Sequence, residues 1–556
     1  MRTKTPGLQY LSVAMCRLDI IILIFSTIAA HVYHKNVTVL VNTFVPQSNS
    51  YIFSRQYVEP AIHYALEKVG PGKQYLVPPW IALTPEYRNT NCTDIDTLYE
   101  GIDIYFKNKD AVLVFLGPVC DYAGVFLRLM SRYNCAVITP GAIHHYFGEN
   151  KTNTSRPQYK TLVRIGATLN TLSFAVGRIL SHHRLRHVRI LIQQYATFHE
   201  VIPKTCHHVN EALMLYLEHI RKTTKWFHED SLVVQSNNLP RNLTPSSIED
   251  VLRTDVGSDF EVVVLCASAD SVREIMIKAH ELNFDNGEYV FFNIDLFSSK
   301  NESERPWHRE NDTDERNKKA RKAYEALMTV TLRKPTSNEY REFSDEVKRR
   351  AKTKYENFTY GEEEVNSFVG AFHDAVILYA IALNETLEAN RSISNGTEIT
   401  RRMWNRTFKG ITGNVSIDDN GDRSADYSLL DMNPTTGIFE VVANYFGNSK
   451  KYEPVLGKNI HWAGGKDGPP VDTPRCGFDR SKCPPEKPFP EYAIGIIVLG
   501  TLLVIVLIAS FFIYRHIKLE AELAEMNWRV KWEDIMFGTM EGDRKKRQGS
   551  NLSLAR

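Results

Sequence analysis

The stretch 492–514, YAIGIIVLGTLLVIVLIASFFIY, contains no charged or amide side chain and is rich in Ile, Leu and Val. A helix rises about 1.5 Å per residue and a bilayer core is about 30 Å thick, so this run can cross with its backbone polar groups bonded internally. It reads as a transmembrane helix. Glu491 and Pro-rich sequence precede it, whereas Arg515, His516, Lys518, Arg529, Lys531 and the cluster Arg544, Lys545, Lys546 and Arg547 follow it. Basic residues are retained on the cytoplasmic side, which places the tail 515–556 inside the cell and everything before the helix outside.

The N-terminus agrees with that orientation. Arg2, Lys4 and Arg17 precede the apolar run 20–30, which ends in the small residues Ala29 and Ala30. That pattern reads as a secretory signal peptide over 1–30. The expected product is a single-pass type I protein of the plasma membrane, with an ectodomain over 31–475 and a membrane-proximal stalk over 476–491. Its 43% hydrophobic residues suffice for real cores. The net charge of +2, without a basic stripe, argues against nucleic-acid binding. Asn-x-Ser/Thr acceptors at Asn36, Asn91, Asn153, Asn242, Asn301, Asn311, Asn357, Asn384, Asn390, Asn395, Asn405 and Asn414 all fall on the outer side. Glycosylation there would mark their loops as surface.

Of the eight cysteines, Cys16 belongs to the signal peptide, leaving Cys92, Cys120, Cys135, Cys206, Cys266, Cys476 and Cys483 in an oxidising compartment. The number is odd, so one thiol is free or bridges to another chain. Cys476 and Cys483 sit close together in a Pro/Gly-rich stretch and suit a small local loop; spacing alone does not pair the others. No Cys-x-x-Cys or zinc-type Cys/His spacing occurs, so no metal site is expected. The pairs His144-His145, His182-His183 and His207-His208 read as surface histidines in loops and helix ends. No phosphate-binding Gly-rich loop, HExxH or Gly-x-Ser-x-Gly motif offers a catalytic chemistry.

Along the ectodomain, strand-like and helix-like runs alternate. Strands are expected at 37–45, 111–116, 136–139, 188–193, 261–266 and 289–293, with helices at 53–69, 122–133, 209–220, 269–282 and 362–389. Short continuous apolar runs such as AVLVFL and EVVVLC suit parallel strands buried on both faces. Repeated β-α units imply doubly wound parallel sheets, with room for two lobes. Their boundary is expected near 161–172, with a return crossing near 327–333. A two-lobed α/β body binds ligands in its cleft or on a lobe surface, near the carboxyl ends of the strands.

The segment 401–445, RRMWNRTFKGITGNVSIDDNGDRSADYSLLDMNPTTGIFEVVANY, has its own physical account. A strand is expected at 414–417, and Asn420-Gly421 is a hairpin-turn signal before a strand at 427–430. Asp418, Asp419 and Asp422 lack the glycine and terminal Glu placement of a calcium loop, so they read as turn residues. The segment resembles the end of the extracellular domain of natriuretic-peptide-type receptor guanylate cyclases. PPVDTPRCGFD at 469–479 is similar to that family's membrane-proximal cysteine motif. FFIYR at 511–515 and WRVKWED at 528–534 resemble its juxtamembrane segment.

The resemblance implies a type I periplasmic-binding-protein fold for the ectodomain. It also implies disulfides Cys92 to Cys120, Cys206 to Cys266 and Cys476 to Cys483, with Cys135 as the odd thiol. Peptide-contact positions two past each of the first two cysteines become Asp94 and Tyr122, a carboxylate for a basic peptide and an aromatic anchor. Val119 stands where the family has glycine, which puts the family's chloride site in doubt; no other cofactor is expected. The implied partners are an extracellular peptide ligand and a second chain, as a homodimer or paired with full-length cyclase chains. The family continues into kinase-like and cyclase domains that make cyclic GMP, whereas this sequence stops at Arg556. The implied function is the ligand-binding and membrane portion of such a receptor; the alternative is a clearance or decoy receptor without those domains.

Overall fold

The computed structural model describes residues 36–471, apart from 49, 71–76, 121–122, 195–204, 224–231, 258, 297–303 and 362, together with 491–524. It forms two separate units, an α/β body within Met1–Lys482 and a helical unit within Cys483–Arg556.

The body is built on two sheets. Strands β1 (Val37–Phe44), β2 (Ile81–Arg88), β3 (Val112–Leu116), β4 (Ala136–Thr139) and β5 (Leu162–Arg164) form the first, in the order β2-β1-β3-β4-β5. Every pairing in it is parallel. The sequence reading had no strand at β2, because Pro85 interrupts the run. Pro cannot donate to a ladder, and β2 tolerates it as the edge strand.

The second sheet holds β6 (His187–Ile192), β7 (Val233–Asn238), β8 (Val262–Cys266), β9 (Val290–Ile294) and β10 (Leu327–Leu332), all parallel. The hairpin of β11 (Arg406–Gly410) and β12 (Gly413–Ile417) stands apart from it. Strands β13 (Tyr427–Met432), β14 (Phe439–Phe446) and β15 (Lys451–Pro454) then extend the second sheet antiparallel, giving the order β15-β14-β13-β10-β9-β8-β6-β7. The expected parallel lobe is therefore a mixed sheet. The connections 433–438 and 447–450 are too short for a parallel crossover, so these strands can only fold back on one another.

The helices in chain order are α1 (Arg55–Val69), α2 (Asp94–Lys107), α3 (Gly124–Arg132), α4 (Leu169–His183), α5 (Thr205–Thr223), α6 (Pro245–Asp250), α7 (Ala269–Glu281), α8 (Asp314–Ala323), α9 (Asn338–Lys354), α10 (Ser367–Glu388) and α11 (Gly396–Arg401). They cover the sheets, and a strand such as β8, VVVLC, is buried at every position. Helix α10 begins later than 362 because the Asn366 side chain caps it, accepting from the Val369 N–H. It is apolar enough to resemble a membrane span, yet 78% of its most apolar window is buried inside the body. It packs on α1, as α9 also does, so two helices that follow β10 cover the first sheet.

The chain crosses between the lobes at 165–168, 333–337 and 418–426. The third crossing was not anticipated. Asn420-Gly421 does not turn a hairpin into β13: β12 pairs with β11, and the hairpin turns at Ile411 and Thr412.

In the second unit, α12 (Glu491–Ala524) is one continuous helix, and the most apolar 18-residue window within Gly495–Ala524 has a mean hydropathy of 3.1. The helix runs beyond Tyr514 and carries Arg515 and Lys518 on its extension.

Candidate functional site

The first and third crossings are joined by buried charge. Arg164, at the end of β5, is fully buried. Its Nε and Nη2 donate to the two carboxylate oxygens of Asp422, both at 2.7 Å, and its Nη1 donates to the carbonyls of Ala142 and His144 at 3.0 and 2.9 Å. The backbones join as well: the Arg164 N–H donates to the Gly421 carbonyl, and the Arg423 N–H to the Arg164 carbonyl, each at 2.9 Å. Lys151 Nζ donates to the carbonyls of Leu162 and Asn420 at 2.9 and 2.7 Å. Burial alone would push the Asp422 carboxyl up, but Arg164 and Lys151 outweigh it and hold it below the usual carboxylate range.

This explains the fate of the acidic turn. The Asp418 carboxylate accepts from the N–H groups of Asn420 and Asp422 at 2.9 and 2.8 Å, and Asp422 is occupied by Arg164. The turn residues serve the crossing, and Gly421 takes the left-handed φ of +79° that the tight turn requires.

A second buried carboxylate anchors the β11–β12 hairpin. Asp374 of α10 accepts from the Ile411 N–H at 2.6 Å, the Thr412 N–H at 3.1 Å and the Thr412 hydroxyl at 2.6 Å. Arg423 donates onward to Thr412 Oγ1 at 3.0 Å and to the Ile165 carbonyl at 3.2 Å. Between these segments lies a cavity of about 490 Å³, lined among others by Thr168, Arg333, Lys334, Phe368, Arg423 and Asp426. All three crossings contribute to its wall, so its shape depends on how the lobes are set.

The structure joins Cys92 to Cys120 and Cys206 to Cys266, and leaves Cys135 free and buried. Cys476 and Cys483 lie outside the described residues. The first bond ties the start of α2 to the segment after β3. Asp94 is the first residue of α2, behind the cap Thr93, and is solvent-exposed; partial burial nudges its carboxyl up. Tyr122 lies outside the described residues. Val119 is fully buried in the apolar core. Of the glycosylation acceptors, Asn301 lies outside the described residues, Asn384 is half-buried, and the other ten are exposed.

The histidine pairs correct the surface reading. His144 is buried, and with His145 it meets His207 and His208 around Glu211 of α5. No short sequence spacing announces this cluster, because its members come from two lobes. The exposed face of α2, with Ile95, Tyr99 and Phe106, was likewise missed, although the spacing of four and seven residues was present in the sequence.

Comparison with known proteins accounts for the architecture. Residues 57–435 match the family described as receptor family ligand binding region. The chain is 36% identical over 530 residues to a receptor-type guanylate cyclase of Caenorhabditis elegans, covering 86% of this chain and 39% of that protein. It is 32% identical over 479 residues to atrial natriuretic peptide receptor 3 of Mus musculus, covering 85% of this chain and 83% of the relative. With atrial natriuretic peptide receptor 2 of Homo sapiens it shares 29% identity over 533 residues, 94% of this chain and 47% of the relative. The chain thus spans less than half of each of the two longer relatives. A two-sheet α/β body matched across both of its sheets, followed by one long apolar helix, assigns this chain to the receptor family that shares this ligand-binding region, among the natriuretic-peptide-type receptors.

Proposed function

We propose that this chain is the ligand-binding and membrane portion of a cell-surface peptide-hormone receptor of the guanylate cyclase type. The ectodomain would bind peptide outside the cell, and α12 would carry a rearrangement of a dimer across the plasma membrane. The observation that supports this reading most is the pairing of a family-matched body over 57–435 with a single strongly apolar helix after it. Exposure of ten of the acceptor asparagines supports an extracellular body.

A surface for the second chain is available. Ile95, Tyr99 and Phe106 on α2 and Val125 on α3 are 65%, 68%, 52% and 49% exposed. Large apolar side chains grouped on one lobe favour burial against a partner. Asp94 adjoins this face in sequence, and the Cys92–Cys120 bond joins the residues two positions before Asp94 and Tyr122. A peptide contact by Asp94, at the start of the helix that carries this face, fits that arrangement. The packed Val119 side chain supports a receptor without the family's chloride.

The second reading is a clearance or decoy receptor, supported by the 32% identity to atrial natriuretic peptide receptor 3 over 83% of that relative. Binding of labelled, disulfide-ringed natriuretic-type peptides to the full chain in nanodiscs tests both. Asp94→Ala and Tyr122→Ala should each weaken binding at least about tenfold, the scale of an interface hot spot. Absence of binding by every such peptide rejects the hormone assignment. Cyclic GMP formation by the native transcript's product separates the two readings.

A further inference from the structure

We propose that His144, His145 and Glu211 form a binding site for a divalent transition-metal ion of the zinc class, joining the two lobes. The segment leaving the carboxyl end of β4 delivers His144 and the short turn His145–Gly148, on the first sheet's side. Helix α5, which follows β6 of the second sheet, delivers Glu211, with His207 and His208 one turn before it. Among the described residues these three side chains are the one group of His, Cys, Asp or Glu whose ligand atoms all lie within 4.8 Å of one another.

Three observations make this a ligand site rather than a chance cluster. The distances are already near contact: His144 Nε2 stands 3.1 Å from Glu211 Oε2, and His208 Nδ1 stands 3.5 Å from the same oxygen. The His145 Nδ1 atom is buried without a hydrogen-bond partner, a state that costs stability unless something else engages that nitrogen. The donor set, two imidazoles and a carboxylate, is that of a three-ligand zinc site with a fourth position left open, and His208 lies beside it, its ring centroid 4.2 Å from that of His144.

An ion here would replace the His144–Glu211 hydrogen bond by two bonds to a common centre, the His144 ring proton passing to Nδ1 at the expense of the 3.3 Å contact from the Tyr146 N–H. Because the ligands belong to the loop after β4 and to α5, the metal would fix one lobe against the other, through the same loop whose Ala142 and His144 carbonyls accept from Arg164 Nη1. Magnesium and calcium prefer all-oxygen shells and should not compete.

The test uses the full chain in nanodiscs, stripped with chelator and dialysed against zinc or cobalt(II). One equivalent per chain should bind saturably at micromolar zinc, cobalt should show the visible bands of a low-symmetry, nitrogen-containing site, and zinc should raise the melting temperature. His145→Ala and Glu211→Gln, both at partly exposed positions, should each weaken binding at least about tenfold and abolish the cobalt bands while leaving the circular dichroism unchanged. His308→Ala, far along the chain in the second lobe, should bind as the parent does. No saturable binding, or binding that survives both ligand substitutions, overturns the site.

Discussion

Arg164 and Asp422 stand 258 positions apart and form a doubled ion pair, both N–H···O distances being 2.7 Å, with side-chain exposures of 0% and 8%. One residue ends the last strand of the first sheet; the other lies on the third passage between the lobes. The pair therefore fixes a crossing that is local in neither sequence nor sheet.

Breaking the pair should be costly. Arg164→Leu leaves a buried carboxylate without its partner, and a loss of about 3–5 kcal/mol is expected in denaturant unfolding followed by circular dichroism. Replacing both, Arg164→Met with Asp422→Leu, should cost clearly less than the sum of the single changes. A single-substitution loss below about 1 kcal/mol would show that this ion pair does not hold the crossing.

Two glycines give a matched comparison. Gly421 has φ +79° and a Cβ there would lie 2.4 Å from Trp404 Nε1, whereas Gly413 has φ +103° with nothing within 4 Å. Gly421→Ala should cost about 2–4 kcal/mol, strain plus overpacking. Gly413→Ala should cost only the strain, about 1–2 kcal/mol. Equal losses would remove the role assigned to the Trp404 contact.

Asp431 gives a pH signature. Burial raises its carboxyl to about 7, partly countered by the N–H groups of His461 and Met432. Between the ordinary carboxyl value and about 7 the folded chain holds a proton that the unfolded chain has released, so this residue's contribution to stability is full at acid pH and declines as pH rises through 7. Its slope is at most about 1.4 kcal/mol per pH unit. Asp431→Asn should flatten the stability profile between pH 4 and 7; an unchanged slope would refute the assignment.

The bond between Cys206 and Cys266 closes a loop with a sequence separation of 60 and is wholly buried. Chain-entropy reasoning gives it about 4 kcal/mol. Cys206→Ala with Cys266→Ala should lower the unfolding midpoint accordingly, measured under non-reducing conditions against the parent.

The exposed face of α2 should be an association surface. Tyr99→Glu is expected to shift the chain from dimer to monomer in light scattering while changing folding stability by less than about 0.5 kcal/mol, because Tyr99 is 68% exposed. Retention of the dimer would move the interface elsewhere.

Local sequence determined a great deal here. Apolar runs such as VVVLC name buried parallel strands, and the run 492–514 names a candidate span, because hydrophobic burial and backbone satisfaction act on neighbouring residues. The family segment at 401–445 was also legible, and the resemblance it carries implied the pairings Cys92–Cys120 and Cys206–Cys266 that the structure forms. Other features belonged to the tertiary structure alone. Asn420-Gly421 has the composition of a hairpin turn, yet Arg164 claims Asp422 and makes it a lobe crossing. His144 and Glu211 meet though they lie 67 positions apart. Charge pairing and ligand geometry depend on distances in space, and only the packing of two lobes sets those distances for residues so far apart along the chain.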